Sequence, residues 1–416
     1  MKIPGPSRRQ ALSLLLASGL SACMSRGAQP TEVPMSEKLL QLASFGIRRT
    51  GSPGEERTRD WIATALESAG YRLGLTAFSA DTLVDPAVAI ELSSKTYEGF
   101  LQWMPPISLP APLEGSVRLS LPDNARPGDC VVRAMPGPFS AYWTDALEAE
   151  VVAAARHGAA AYLMCTETPS GSIFAYNRSI RSSELAIPVI LHARCDHELF
   201  LAAAQRNHET RLSLSVTRTS VSGVSLIGAR PGKGAGLVIS TPMTGWFGSL
   251  AERAPGMILA RKLAEAYAKA SFPVWIVASS GHEIGHLGMQ QVLGALAPSP
   301  EEVRLWIHLG ASLGATAQDE DYPLKSMHFR MATPGIEDLV DEAFGPMGLS
   351  PLDPAQMRNG ETGDVLSAGY KDVLGLTGVA ATFHTPVDDG AAVNTGRLEQ
   401  YERALRGVID RRFAQT

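Results

Sequence analysis

Three ionisable residues stand together at His282-Glu283-Ile284-Gly285-His286. Read literally this is H-E-x-x-H, in which two imidazoles on one helix face hold zinc and the glutamate acts as base. The flanks argue against a helix. Gly281, Gly285 and Gly288 are poor helix formers, and the run at 274–278 is Val-Trp-Ile-Val-Ala, a strand type buried on both faces. In open α/β sheets ligands collect at the carboxyl ends of strands. The sequence therefore predicts His282 and Glu283 in a loop at such an end. Two other residues can converge there: Glu252, ahead of a helix predicted from Pro255, and His384, after the last predicted strand. Two carboxylates and an imidazole suit one zinc with an open position. Asp388, four residues past His384, could orient that imidazole. The plainer alternative makes Glu252 a helix-start acid favoured by the dipole and His384 a hydrogen-bonded loop residue.

The elements that must position these residues follow a pattern. Apolar spacing predicts helices over 36–47 and 55–69, the second closed by Gly70, then a strand over 71–78. From about 81 to 221 the composition changes to short β-type segments and prolines, with helices predicted over 143–156 and 196–206. This stretch reads as an inserted β-rich module with its own core. After 221, strands at 236–240, 274–278, 303–309 and 373–377 alternate with helices at 255–270, from about 289, at 336–344 and at 396–413. Strand–helix–strand order predicts an α/β/α three-layer sandwich around a mostly parallel, mixed sheet.

The chain has 416 residues, 45% of them hydrophobic and 19% charged, with a formal net charge of −5. No basic run stands out, so nucleic acid is not an implied partner. Residues 1–22 read as a signal peptide: Arg8-Arg9 precedes an apolar run too short to span a bilayer. Leu20-Ser21-Ala22-Cys23 reads as a lipobox, so Cys23 is the expected lipid-bearing terminus and 23–35 a tether. The expected location is the bacterial cell envelope, with a lipid anchor in the membrane. The remaining cysteines, Cys130, Cys165 and Cys195, match no zinc spacing. They read as small buried hydrophobes or one optional disulfide.

Several pieces resemble the di-zinc aminopeptidases of metallopeptidase family twenty-eight, in family order from about 36 to 413. Phe45-Gly-Ile-Arg-Arg-Thr-Gly51-Ser-Pro-Gly54 looks like the N-terminal signature. Gly158-Ala-Ala-Ala161 with Ile187-Pro188-Val189 looks like an inserted protease-associated domain. Gly281-His-Glu283-Ile-Gly285-His-Leu-Gly288 resembles the Glu-Glu stretch, and His384-Thr385-Pro386-Val387-Asp388 the last metal-ligand motif. The resemblance implies a zinc-exopeptidase-like domain formed by 36–80 and 222–416, with a protease-associated-like domain at 81–221.

This chain departs from the family at the site itself. Thr241 stands for the first ligand histidine, Glu252-Arg253 for the bridging aspartate and its neighbour, and His282 for the general-base glutamate. Gly310, with His308 close by, stands for a ligand aspartate, and Glu361 falls where a substrate-side aspartate is usual. The resemblance thus implies one zinc held by Glu252, Glu283 and His384. His282 becomes base or ligand, and Asp388, Glu361 and His308 lie behind the ligands or beside substrate. The expected function is an exported, metal-dependent hydrolase of the aminopeptidase type acting on peptide or aminoacyl substrates. The alternatives are a non-catalytic binding protein on the same fold, or an acyl transferase similar to the glutaminyl cyclases.

Overall fold

The computed structural model describes residues 33–103, 113–137, 143–168, 170–177, 185–316, 327–353 and 360–414, with only the backbone at 84–86. Residues 1–32 lie outside the described residues, and with them the expected signal peptide, Cys23 and most of the tether. Met35–Thr416 form one compact unit.

Two helices open it, α1 (Met35–Ser44) and α2 (Pro53–Ser68). Ser52 caps α2 by accepting from the Glu55 amide at 3.2 Å. The chain then enters β1 (Arg72–Leu92), followed by β2 (Lys95–Gln102), β3 (Leu113–Ser120), β4 (Cys130–Val132), α3 (Asp145–Arg156), β5 (Ala161–Cys165), β6 (Val189–His192), α4 (His197–Gln205) and β7 (Glu209–Arg230). The second half runs β8 (Gly236–Pro242), α5 (Leu250–Ala266), β9 (Val274–Ser279), α6 (Leu287–Ala295), β10 (Val303–Leu309), β11 (Met327–Ala332), α7 (Glu337–Phe344), β12 (Ser350–Pro351), α8 (Glu361–Ser367), β13 (Val373–Val379) and α9 (Thr395–Ala414).

The sheet carrying the site is parallel at its centre, in the order β9-β8-β10-β13, with β7 antiparallel on one side and β11 on the other. Alternate residues of these buried strands serve opposite faces. Leu237, Ile239, Ile276, Ile307 and Leu374 pack with α1, α2, α5, α7 and α9 through residues such as Leu42, Leu66, Ile258, Phe344 and Leu405. Val238, Val277, Trp306 and Val373 pack the other way, against Met289 and Val292 of α6 and Val365 of α8. That two-sided burial makes three layers, the α/β/α sandwich the alternation of elements predicts.

Strands β1 and β7 are longer than the sequence indicated. They pair antiparallel from Arg72↔Ala229 to Glu91↔Arg211, with one irregularity between Val84 and Ala87. The positions where composition changes, near 81 and 221, fall inside these continuous strands. Beyond them the pairings close a ring, β1-β2-β6-β5-β4-β3-β7 and back to β1. Closure leaves this ring no free edge. Its inward residues, including Ile90, Leu119, Val132, Leu163, Ile190 and Leu212, form a core with Phe200 of α4.

One element starts elsewhere than expected. Helix α5 begins at Leu250, so Pro255 lies inside it and Glu252 and Arg253 lie on its first turn. An interior proline lacks the N–H that would bond the carbonyl four residues back. Separately, at the helix start, Asp388 accepts from the Ala251 and Glu252 amides at 2.7 and 3.0 Å, satisfying donors that a helix start leaves open.

Glu55 ties α2 to the sheet. Its carboxylate accepts from the Gly51 amide and, at 3.4 Å, from the Val224 amide of β7. Burial raises its pKa from 4.5 to about 7, against hydrogen bonding from Ser280 and the Gly51 amide. A raised acid is stabilising in full below its unfolded pKa, and that contribution fades as pH rises through the folded value. In urea melts, Glu55→Gln is expected to gain on the wild type by about 3 kcal/mol at most on going from pH 4 to pH 8. A constant difference across that range would refute the assignment.

Candidate functional site

Four parallel strands end on one edge of the sheet, and their following loops bring the predicted residues together. Strand β8 leads to Thr241–Trp246, β9 to His282 and Glu283, β10 to Gly310, and β13 to Phe383 and His384. The H-E-x-x-H stretch is not a helix. His282–Ile284 form a short 3-10 turn, and Gly281, Gly285 and His286 all take positive φ, at 69°, 83° and 60°. His282 and His286 therefore do not share a helical face. Their rings lie 4.8 Å apart, each turned to its own acid: His282 Nδ1 to Glu361 at 3.0 Å and His286 Nδ1 to Asp364 at 3.1 Å.

At the centre is an ion cluster that water does not reach. Glu252 and Arg253 are each 1% exposed, as is His384. The Arg253 guanidinium is 2.7 Å from Glu252 Oε1, and His384 Nε2 approaches the same oxygen at 3.3 Å. Arg253 Nε donates to the Thr244 carbonyl at 2.8 Å, which fixes the guanidinium in place. Burial by itself would raise the Glu252 pKa. The charge of Arg253, then the His384 ring, outweigh it and hold the carboxyl at about 2. Neither Glu252 oxygen makes a well-formed hydrogen bond, so these contacts are ionic rather than directional.

His384 sits at positive φ, 56°, because the chain turns back on itself there. Its Nδ1 bonds the Ala175 carbonyl at 2.9 Å, and the Ala175 amide donates to the His384 carbonyl at 3.0 Å. Phe383 stacks on the imidazole at 3.9 Å, and Phe174 covers it at 5.3 Å. The ring of strands thus supplies part of the site's lid. Trp246 joins the same contact, donating Nε1–H to Asn177 at 2.9 Å and meeting Trp103 edge-on.

Glu283 is buried but faces other partners. Its Oε1 accepts from the Thr50 amide and hydroxyl, both at 2.9 Å, and its Oε2 accepts from the Thr244 hydroxyl at 2.7 Å. Thr244 also accepts from the His282 amide at 3.2 Å. Thr50 carries no site signal in the sequence. It lies 233 residues from Glu283, and only the fold joins them.

The remaining predicted residues fall as follows. Glu361 accepts from Ser279 at 2.8 Å as well as facing His282. Burial, then the charge of Arg253, push His282 well below its usual pKa. His308 pairs its Nδ1 with Ser240 at 2.9 Å, and burial lowers it to about 4. Asp388 does not orient His384: its carboxylate is spent on the Ala251 and Glu252 amides, and the Ala175 carbonyl holds the imidazole instead. Burial raises Asp388 to about 7, with Glu252 adding to the rise.

As a zinc site the set Glu252, Glu283 and His384 does not fit. The bare oxygens of Glu252 and the facing His384 nitrogen would suit a cation. Arg253 already places a full positive charge there, and both Glu283 oxygens are occupied by hydroxyl and amide donors. Thr241 and Gly310 stand where the resemblance implies that the family's further ligands are replaced. Thr241 donates its hydroxyl to the Leu309 carbonyl at 2.9 Å. A Cβ at Gly310 would lie 2.9 Å from the Leu376 carbonyl, so a carboxylate there would displace backbone. Among the described residues, the His, Cys or acid trio whose ligand atoms all lie within 4.8 Å of one another is elsewhere: Cys165, His192 and His197.

No protein-family model matches the sequence, and no curated protein matches it. Solved structures do. The zinc aminopeptidase BSAP from Bacillus subtilis is 15% identical, covers 90% of this chain and 93% of its own, and superposes with a TM-score of 0.69. A peptidase M28 precursor from Shewanella amazonensis SB2B is 16% identical over 90% of this chain and 91% of its own, at 0.65. The aminopeptidase from Aneurinibacillus sp. strain AM-1 is 13% identical over 90% and 92%, at 0.64. At these identities the likeness is one of fold: the chain has the architecture of the zinc aminopeptidases.

The ion cluster makes its own prediction. Arg253→Leu leaves Glu252 as an uncompensated buried charge and is expected to cost about 3–5 kcal/mol in urea unfolding. Adding Glu252→Gln to Arg253→Leu should recover most of that loss. A single variant as stable as the wild type would show that Arg253 does not carry the pairing.

Proposed function

We propose that this chain binds a peptide or aminoacyl ligand on an aminopeptidase fold without hydrolysing it. The observation that carries the reading is the Arg253 guanidinium, buried at 2.7 Å from Glu252. A guanidinium offers only N–H donors. It can neutralise a carboxylate, but it cannot take an oxygen lone pair and lower the pKa of a bound water, as a catalytic metal does. His282 offers a neutral imidazole held by Glu361, and burial with the charge of Arg253 lowers its pKa, which makes it a weak general base. The partly exposed His282 and His286, with Glu361 and Asp364 behind them, leave a polar rim at the carboxyl edge of the sheet. Such a rim suits the amino end of a peptide.

A second reading, the one-metal hydrolase or a cyclase-type acyl transferase, is favoured by one observation. The Glu252 oxygens lack hydrogen bonds and face His384. Turnover separates the two. Leucine p-nitroanilide incubated with the protein and added Zn2+ or Co2+ should react no faster than in buffer, while leucinamide should raise the melting temperature, less so in Asp364→Asn. Metal-dependent turnover lost in Glu252→Ala would overturn the binding reading.

The same proposal places the chain outside the cytoplasm, held to the envelope membrane by lipid on Cys23, with no nucleic-acid partner. Among the described residues no helix is long and apolar enough to cross a membrane. Cys23→Ser should move the protein from the membrane to the soluble fraction. Equal membrane recovery of both forms would remove the anchor from the reading.

A further inference from the structure

Away from the sheet edge, the ring of strands gathers three donors that the sequence spacing did not single out. Cys165 ends β5, His192 ends β6, and His197 opens α4. Strands β5 and β6 are parallel neighbours with Cys165 opposite His192 in register, so the thiol and the first imidazole come from adjacent strand ends. The short turn Arg194–Asp196 then brings His197 back over them. Cys165 and His192 are fully buried and His197 is 1% exposed.

The ring nitrogens are oriented by backbone. His192 Nδ1 bonds the Ala193 carbonyl at 3.0 Å, and His197 Nε2 bonds the Ala134 carbonyl at 3.3 Å. A nitrogen facing a carbonyl carries the proton, which leaves the other nitrogen of each ring with a free lone pair. Those other atoms, His192 Nε2 and His197 Nδ1, are buried and have no hydrogen-bond partner. A buried polar atom left unpaired is destabilising, and a native fold rarely keeps two such atoms beside one thiol. The rings lie nearly parallel, 14° apart with centroids at 5.7 Å. Second-sphere carbonyls that fix the tautomer of each imidazole are the usual support of a metal-bound histidine.

We propose that Cys165, His192 and His197 form a binding site for one soft or borderline d10 cation, Zn2+ or Cu+. The three ligand atoms lie within 4.8 Å of one another. Tetrahedral zinc holds such N and S donors roughly 3.3–3.7 Å apart, so shifts of about 1 Å close the set. Two imidazoles and a thiolate exclude Ca2+ and Mg2+, which take oxygen donors. A fourth position stays open to water in the zinc form. Binding replaces the thiol proton: the S–H bond breaks, the sulfur pair forms the metal bond, and the proton passes to solvent. Burial already holds both imidazoles in the neutral form that a metal requires, His192 at about 3. The Arg194–Asp196 turn, with Cys195 exposed on it, is the covering segment between His192 and His197. The site stands apart from the Glu252 cluster, so the ion would pin β5, β6 and α4 whatever happens at the sheet edge.

The test uses the mature full chain, stripped with chelator and titrated with Co2+ as a spectroscopic probe, then with Zn2+ and Cu+. One equivalent of Co2+ should give a thiolate charge-transfer band in the near ultraviolet, absent in Cys165→Ser and present in Glu252→Ala. His197→Gln and His192→Gln should each weaken uptake by about tenfold or more. Zn2+ should raise the melting temperature of the wild type and not of Cys165→Ser. Should Cys165→Ser fail to fold, His197→Gln gives the same comparison. Competition between Zn2+ and Cu+ at one equivalent identifies the resident cation, and retention of either through Cys165 supports the site. No thiolate band, or uptake unchanged in Cys165→Ser and His197→Gln, overturns it.

Discussion

A guanidinium in a protein interior needs close partners, and Arg253 has one in Glu252, a buried carboxylate at the sheet edge. Desolvating two opposite charges costs several kcal/mol each, and only close geometry with further bonds offsets it. Arg253 has both: Glu252 at 2.7 Å and the Thr244 carbonyl at 2.8 Å. The rest of the site is arranged around that requirement. The start of α5 must sit where it does to present both residues, and Asp388 must cap it there. Thr244 must turn its carbonyl to Arg253, which leaves its hydroxyl for Glu283. One local pair therefore fixes the roles of three loops.

The covering of the site depends on the long ribbon of β1 and β7. Because these strands run unbroken from the three-layer sheet into the closed ring, the two parts share a backbone hydrogen-bond ladder. That continuity lets residues 174–177 reach His384 and Trp246. A pair of flexible linkers would not hold an imidazole between two phenylalanine rings and against a carbonyl. The closed ring also protects its own contents: Cys165, His192 and His197 lie at strand and helix ends, buried by the elements that bring them together.

The chain shares the architecture of the zinc aminopeptidases, and the side chains at the carboxyl edge of its sheet form ion pairs and hydroxyl bonds among themselves. A shared fold positions residues and does not assign them a reaction. Thr50 and Thr244 give Glu283 three hydrogen bonds, so this buried carboxylate has partners on both oxygens.

By itself the sequence determined the layers. Uninterrupted apolar runs at 237–239, 274–278 and 305–307 suit strands buried between helices, and the glycines around His282 argue against a helical zinc motif. It also marked the strand ends where Glu252, Glu283 and His384 would gather, because apolar periodicity and strand order are local signals. Tertiary structure decided what those residues do. Whether Glu283 turns to Glu252 or to Thr50 depends on a residue 233 positions away. Whether Arg253 points inward depends on Asp388 starting α5 five residues ahead of Pro255. Whether Cys165 meets His192 and His197 depends on the register of β5 against β6. Each of these is a choice among rotamers, helix starts or strand registers, settled by partners distant in the chain, and no local spacing encodes it.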